Sequence, residues 1–398
     1  MTARENDLPR WLFALGAFLL SFTLFFATYC RTPYGDFDSL ELSAAVASGG
    51  LPHPGGYPTY HLLGRFVQFL SPYEPAQTLN LLSAFFGAAT IFVLALLLGH
   101  LVKDRTLALL CSLLLATTLD FWRLSLVAEV YTLHCFFIAM ALYLLTQWVA
   151  SRRSETLLFA ALLFAAALGN HATTIFLLPP ALIYLLLARA FPNGGLFFLC
   201  ALLVLTITLA AYFLYLPNLA ASENAGPFAL LLQQADGSRA DTQTLWNYIT
   251  GKVYREQLWS ADKLSQGAIN IAAHALVQFD IAPGLTYGEG KWSEGPLAIL
   301  HSLLLIFALI GAYFHLRGER DTFVLLFLFF TLTTVFYAGM GTTVQDMDSM
   351  YLPIYLCLTI WIGVFCKGVL LLLRDHGRRK SELACKALLV LLLISRLS

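Results

Sequence analysis

Residues 156–188 run for 33 positions without a single Asp, Glu, Lys or Arg. A helix of that length is about 50 Å long at 1.5 Å per residue, whereas the hydrocarbon core of a bilayer is about 30 Å thick. One tilted helix is too long for the run and two are short. The basic residues around it decide. If the run breaks at Gly169-Asn170-His171, then Arg4, Arg10, Lys103, Arg105, Arg152, Arg153, Arg189, Arg317, Arg320, Arg374, Arg378, Arg379 and Lys380 share one side. Only Arg31, Arg65 and Arg123 then fall in short segments on the other. A single helix would reverse every later span and scatter these clusters. Because Lys and Arg collect on the cytoplasmic side of membrane proteins, two helices are predicted, with the amino terminus cytoplasmic.

Composition agrees. Of 398 residues 59% are hydrophobic and 12% charged, about half the charged fraction of a soluble chain. With 24 Lys+Arg against 24 Asp+Glu there is no basic excess to hold nucleic acid, so no nucleic-acid partner is expected. The seven cysteines lie mostly inside apolar runs without a C-x-x-C pair, which argues against a metal knuckle or a disulfide framework.

The first apolar run, 11–29, is longer than a signal-peptide core and lacks a small-residue cleavage site, so it reads as a retained helix. Further spans are predicted over 78–102, 106–122, 130–150, 196–216, 296–316, 322–340 and 351–373. The expected fold is an all-α polytopic membrane protein of about 10 to 11 transmembrane helices. It forms a single membrane domain over 1–398, with short helices in a first outer loop, 31–77, and a second, 217–295. Within the C-terminal helices, 296–398, the last run, 383–394, is interrupted by Lys386. It is too short to span comfortably, which leaves a truncated or naturally short end as the expectation.

The densest polar signal follows the first span: Gly35-Asp36-Phe37-Asp38-Ser39-Leu40-Glu41, then Leu51-Pro52-His53-Pro54-Gly55-Gly56-Tyr57-Pro58. Asp38 and Glu41 have capping-box spacing, the first accepting from first-turn amides and the second reaching back. A capping carboxylate is also a rigidly aimed one, so a cap and a catalytic acid can coincide. His53, flanked by prolines and glycines, fits a turn residue better than a base. Three further clusters fall on the same predicted face: Arg123 with Glu129 and Tyr131, Asn170 with His171, and Asp346 with Asp348. Singly these are helix starts, a hairpin cap and loop acids. Jointly they suggest one polar cavity opening outward. Asp346-x-Asp348 offers two oxygens to a divalent cation, and no other cofactor is expected. In 245–255, Trp246, Tyr248, Lys252 and Arg255 mix aromatics with cations, as residues at headgroup depth do. Tyr248 lies four positions before Lys252, and Arg255 three after it, so they could flank one lipid head.

These residues carry a resemblance. Asp38-Ser39-Leu40-Glu41 with His53-Pro54-Gly55-Gly56-Tyr57-Pro58 resembles the D-S-G-E and H-P-P-G-Y-P signature of the family of animal transmembrane O-mannosyltransferases that act on plexin-type receptor domains. Ala128-Glu129-Val130-Tyr131-Thr132-Leu133, Gly169-Asn170-His171 and the 250–255 stretch are similar to its later motifs. The resemblance covers about residues 10–260, and 346–353 more loosely. Leu40 and Gly55 depart from it, standing where the signature has Gly and Pro. It implies a GT-C type glycosyltransferase with a GT-C-like multi-helix core, in the bacterial inner membrane or the ER membrane, its active site on the outer or luminal face. Asp38 matches the family's acid, and the implied donor is a polyprenyl-phosphate-linked sugar. The acceptor would be a hydroxyl on a protein, a glycan or a lipid.

The chemistry fits the residues independently. A base must take the acceptor's proton during attack on the anomeric carbon, and the departing phosphate needs cationic or dipolar support. Asp38 is the candidate base, Glu41 and His53 its catalytic neighbours, and Arg255 with Lys252 the phosphate partners. Asp36, Tyr57, Arg123, Glu129, Tyr131, Asn170, His171, Asp346 and Asp348 complete the expected substrate site. A transporter or flippase would also line a path with polar groups, but would favour internal repeats and mid-membrane polar sites, and neither occurs. For a non-catalytic scaffold the acids would be expendable.

Overall fold

The computed structural model describes residues 9–32, 37–221, 226–232, 241–252, 261–279, 303–340, 347–375 and 379–397. Among them there are helices and no strands. Six helices are long and apolar enough to cross a membrane: Arg10–Thr28, Pro75–Val102, Tyr131–Ser151, Gly194–Ala220, Arg320–Met340 and Ser349–Arg374. Four shorter apolar helices accompany them: Arg105–Ala116, Ser154–Asn170, Ala172–Leu187 and Leu303–Gly318. The chain is a multi-pass membrane protein.

The first span, α1 (Arg10–Thr28), leads into two short helices, α2 (Phe37–Ser48) and α3 (Pro58–Leu70). The long α4 (Pro75–Val102) is the axis of the bundle and packs against α1, α5 (Arg105–Ala116) and α7 (Tyr131–Ser151). The predicted span 106–122 is interrupted. At its end Thr117 and Thr118 turn their hydroxyls back onto the carbonyls of Leu114 and Leu115, Thr118 becomes extended, and a separate short helix, α6 (Leu119–Leu124), follows. Hydroxyls that compete for backbone acceptors stop helices in this way.

The charge-free run is two segments, as expected. The helix α8 (Ser154–Asn170) ends at Asn170, His171 is extended, and a 3₁₀ turn, Ala172–Leu177, leads into α9 (Leu178–Leu187). Next, α10 (Gly194–Leu209) widens into a π-turn at Ala210–Tyr215 before α11 (Leu216–Ala220). Pro217 lies in the first turn of α11. Its missing N–H and ring clash free a carbonyl one turn earlier, and the wider turn accommodates that. A 3₁₀ turn at Pro227–Leu232, α12 (Thr242–Ile249) and the Ala261–Gln278 helix supply the short helices of the second loop.

Charged pairs mark one end of the bundle. Asp104 accepts from Arg374 and Lys386, Glu382 pairs with Arg374, and Lys367 donates to the Leu101 carbonyl and reaches Glu319. The final run is longer than the sequence suggests: it is the helix Arg379–Ser395, packed along α5. Lys386 does not interrupt it, because Asp104 takes its ammonium. At the opposite end Arg396, 7% exposed, donates to the Thr117 hydroxyl and to the carbonyls of Thr117 and Gln278. The Gln278 side chain in turn accepts from the Asp120 backbone.

Candidate functional site

At that second end the starts of α2, α3, α6 and α7 meet the end of α8. The capping-box expectation is not met. Asp38 lies in the first turn of α2, and Glu41 reaches away from the helix start to the other half of the motif. Its two oxygens take the His53 backbone N–H at 3.0 Å and His53 Nδ1 at 2.8 Å. This leaves Asp38 half-buried and without a side-chain hydrogen bond among the described residues, yet within electrostatic range of His53 and Tyr131. A carboxylate with open lone pairs can take a proton.

His53 is more than a turn residue. Burial works against its charge, but the Glu41 hydrogen bond and the negative charges of Glu41 and Asp38 prevail and hold its pKa above the ordinary histidine value. Its Nε2 is 3.0 Å from the Tyr57 hydroxyl. The loop between them closes on two glycines with positive φ, Gly55 at 110° and Gly56 at 70°. A Cβ on Gly56 would sit 2.6 Å from Leu216. Gly55 donates to the Tyr248 carbonyl at 3.1 Å. A proline, which the family signature has at this position, can neither adopt that φ nor donate. The loop therefore closes differently from one built on two prolines. Tyr57 itself is left-handed, φ 36° and ψ 52°, which costs a non-glycine residue about 1–2 kcal/mol and fixes the ring at the start of α3.

The later motifs arrive around this ring. His171 stacks on Tyr57 at 6.2 Å and contacts Tyr131 at 5.7 Å and His134 at 4.8 Å. Its Nδ1 is 2.6 Å from the Thr173 hydroxyl, to which Tyr337 donates at 3.1 Å. Burial pushes the His171 pKa down to about 4. Asn170, fully buried, donates to the Val130 carbonyl at 3.1 Å. Glu129 is not a solvated helix start: it is 4% exposed, its backbone bound to the Ser83 hydroxyl. A Cβ on Gly169 would meet the Thr59 hydroxyl at 2.5 Å, so a larger residue at the end of α8 would have to displace the Thr59 side chain on α3.

Asp38, Glu41, His53, Tyr57, Glu129, Tyr131, Asn170 and His171 thus share one buried polar region. Arg123 sits half-buried at the end of α6, and that helix packs against the 3₁₀ turn Met347–Tyr351. Ser349 in this turn acts on the Tyr131 hydroxyl, so the last motif also reaches the site. The backbone of Asp348 lies in the same turn, whereas Asp36, Arg255 and Asp346, and the Asp348 side chain, lie outside the described residues. Lys252 is exposed. Tyr248 does not flank a lipid head with it. Its ring is 4% exposed, and its hydroxyl donates to the carbonyls of Pro52 and His53, holding up the His53 loop. Sequence reasoning missed His134, Thr173, Tyr337 and the supporting role of Tyr248. His134 follows Tyr131 by three residues, one helical turn, and that spacing was the available signal.

Residues 38–194 match the model of the protein O-mannosyl-transferase TMEM260 N-terminal domain. Mouse protein O-mannosyl-transferase TMEM260 is 28% identical over 143 residues, 35% of this chain and 20% of that protein. The chain thus aligns with only about a fifth of that relative's length. ArnT from Cupriavidus metallidurans bound to undecaprenyl phosphate superposes with a TM-score of 0.56 at 15% identity, over 89% of this chain and 59% of that one. The Archaeoglobus fulgidus oligosaccharyltransferase gives 0.55 at 13%, over 98% and 55%. The bundle accordingly has a GT-C-like membrane fold, and the segment that carries Asp38, Glu41, His53, Glu129, Asn170 and His171 is similar in sequence to the N-terminal domain of the TMEM260 O-mannosyl-transferases.

Proposed function

We propose that the protein is a glycosyltransferase that moves a mannose-like sugar from a polyprenyl-phosphate donor to an acceptor hydroxyl, protein O-mannosylation being the favoured case. The observation that carries this reading is Asp38: a carboxylate in the first turn of α2, free of hydrogen bonds among the described residues, inside the segment similar to an O-mannosyl-transferase. Asp38 takes the acceptor's proton as the hydroxyl oxygen attacks the anomeric carbon. The bond to the donor phosphate breaks with its electron pair on the phosphate oxygen. A single in-line displacement of this kind inverts the anomeric centre. Lys252, with Arg255, supplies positive charge for the phosphate from the second loop.

An apolar cleft of about 410 Å³ between α7, α8, α9 and α10 supports a lipid-linked donor. Its lining includes Leu168, Leu177 and Thr208 at the end nearest Asn170 and His171, and Leu145, Leu157 and Pro192 toward the other. An isoprenoid chain laid in it would bring its phosphate to the polar region. The accumulation of Arg and Lys at the opposite end of the spans supports an outer or luminal site. The test is release of polyprenyl phosphate from polyprenyl-phosphate mannose by the protein in vesicles, with serine- and threonine-containing peptides as acceptors. Acceptor-dependent release is expected, and none with any acceptor rejects the reading.

A further inference from the structure

The helix α3 is amphipathic in the reverse sense of a helix on a water-exposed surface. Its buried face carries Tyr60, His61 and Gly64, with the His61 ring 2.7 Å from the Tyr215 hydroxyl and 3.1 Å from the Ala45 carbonyl. Its outer face carries Leu62, Phe66, Phe69 and Leu70, all exposed, with Phe69 at 87%. Arg65 and Gln68 border this stripe on one side. The Arg65 guanidinium lies against Gly49, and the Gln68 amide donates to the Tyr73 carbonyl. A contiguous apolar stripe on the outside of a helix marks a surface that something covers.

The position of α3 says what covers it. Its start meets the ends of two apolar helices: Thr59 lies against Gly169 at the end of α8, and His61 bonds Tyr215 in the π-turn that ends α10. Its last residue is joined to the start of the spanning α4 by only Ser71–Glu74. The helix, about 20 Å long at 1.5 Å per residue, therefore crosses the end of the bundle along the membrane plane. Amphipathic helices at that depth bury their apolar face at the boundary of headgroups and acyl chains. Around the helix the stripe continues through Leu63 and Val67 into an apolar groove of about 380 Å³ between α3 and α4. The groove has a polar mouth and an apolar depth. At the mouth the Ser71 and Thr78 hydroxyls are 2.7 Å apart, beside the exposed Tyr73 ring. Leu82, Phe85 and Phe86 line it further along α4, the last about 12 Å beyond Thr78. Phe85, 45% exposed on a membrane-spanning helix, opens the groove to lipid.

We propose that α3 lies in the bilayer leaflet on the side of the site, and that its groove with α4 holds one acyl chain of a membrane glycerophospholipid, the headgroup at 71–74 and the chain running toward Phe86. The polar mouth and apolar depth match that molecule end for end, and the lining has no charged side chain, which suits an ester-linked chain rather than a bare phosphate. This groove is separate from the cleft between α7, α8, α9 and α10. Docking α3 in this way also fixes the depth of Tyr57, the residue before its first turn, and with it the depth of the His53 loop.

Photolysis of the full chain in vesicles doped with phosphatidylcholine that carries a diazirine at mid-chain, with adducts mapped by mass spectrometry, tests the assignment. Adducts are expected on Phe66 and Phe69 of the stripe and on Val67, Phe85 and Phe86 of the groove. The exposed Phe198 and Leu205 of α10 serve as the lipid-facing reference. A diazirine in the headgroup should mark 71–74 instead. Val67→Trp fills the groove from the α3 side and should lower the adducts on Phe85 and Phe86 about tenfold, with those on α10 unchanged. Loss of the α10 adducts as well would identify a disrupted bundle, and the wild-type maps from the two probes then decide. A wild type marked on α10 but not on α3 or the groove overturns the proposal, as a face in water or against another protein would give. Groove adducts that Val67→Trp leaves in place, or that polyprenyl phosphate added as a minor lipid removes, overturn the assignment to a glycerophospholipid chain.

Discussion

Gly55 makes two demands that proline cannot meet. Its φ of 110° and its N–H bond to Tyr248 both exclude proline, so Gly55→Pro, which restores the family signature letter for letter, should destabilise the loop by about 3 kcal/mol or more. Thermal unfolding of the variant in detergent checks this, and an unchanged midpoint would mean that the loop closes in another way. The Glu41–His53 pair makes a second demand with a definite pH window. Because the folded-state pKa of His53 is raised, the stability from the pair is fully present below the unfolded value of about 6.5. It is lost as pH rises through the raised value. Glu41→Gln should therefore flatten the fall in stability between neutral and mildly alkaline pH, as read by unfolding midpoints across that range. The sequence showed Asp38, Glu41 and His53 as chemistry-bearing residues but misassigned the partner of Glu41. Spacing within one helix is visible in a string of letters, whereas a contact across a glycine turn depends on the φ values that close it.

The division of 156–188 illustrates what is legible in an element. Charge parity along the whole chain fixed the count of two, and Asn170, whose amide holds the Val130 carbonyl, is where the first helix ends. The topology places Tyr73, between α3 and α4, on the side of the site, and Arg153 and Asn193 on the other. Single cysteines at these exposed positions should label from opposite faces of sealed vesicles, Tyr73 from one and the other two together from the second. Labelling of all three from one face would contradict the arrangement. The break at Thr117-Thr118 and the π-turn before Pro217 were not visible. Both lie inside runs apolar enough to span, and hydropathy does not register a hydroxyl or an imide that redirects a backbone carbonyl.

Across the whole molecule, the two ends of the bundle are different in kind. One is laced by exposed and half-buried ion pairs, and the other holds a buried polar region and also Arg396, whose guanidinium donates to two backbone carbonyls and a hydroxyl. Removing that charge strands those acceptors, so Arg396→Met should lower stability by about 3 kcal/mol, measured as a fall in the thermal midpoint. No motif announced this arginine, since its acceptors come from segments far away in sequence. Asp38→Asn in the vesicle transfer assay, with donor binding measured in parallel, tests whether Asp38 is the base of sugar transfer. Turnover is expected to fall by about 10² to 10⁴ with donor affinity retained, whereas near-normal turnover by Asp38→Asn rules Asp38 out as the base.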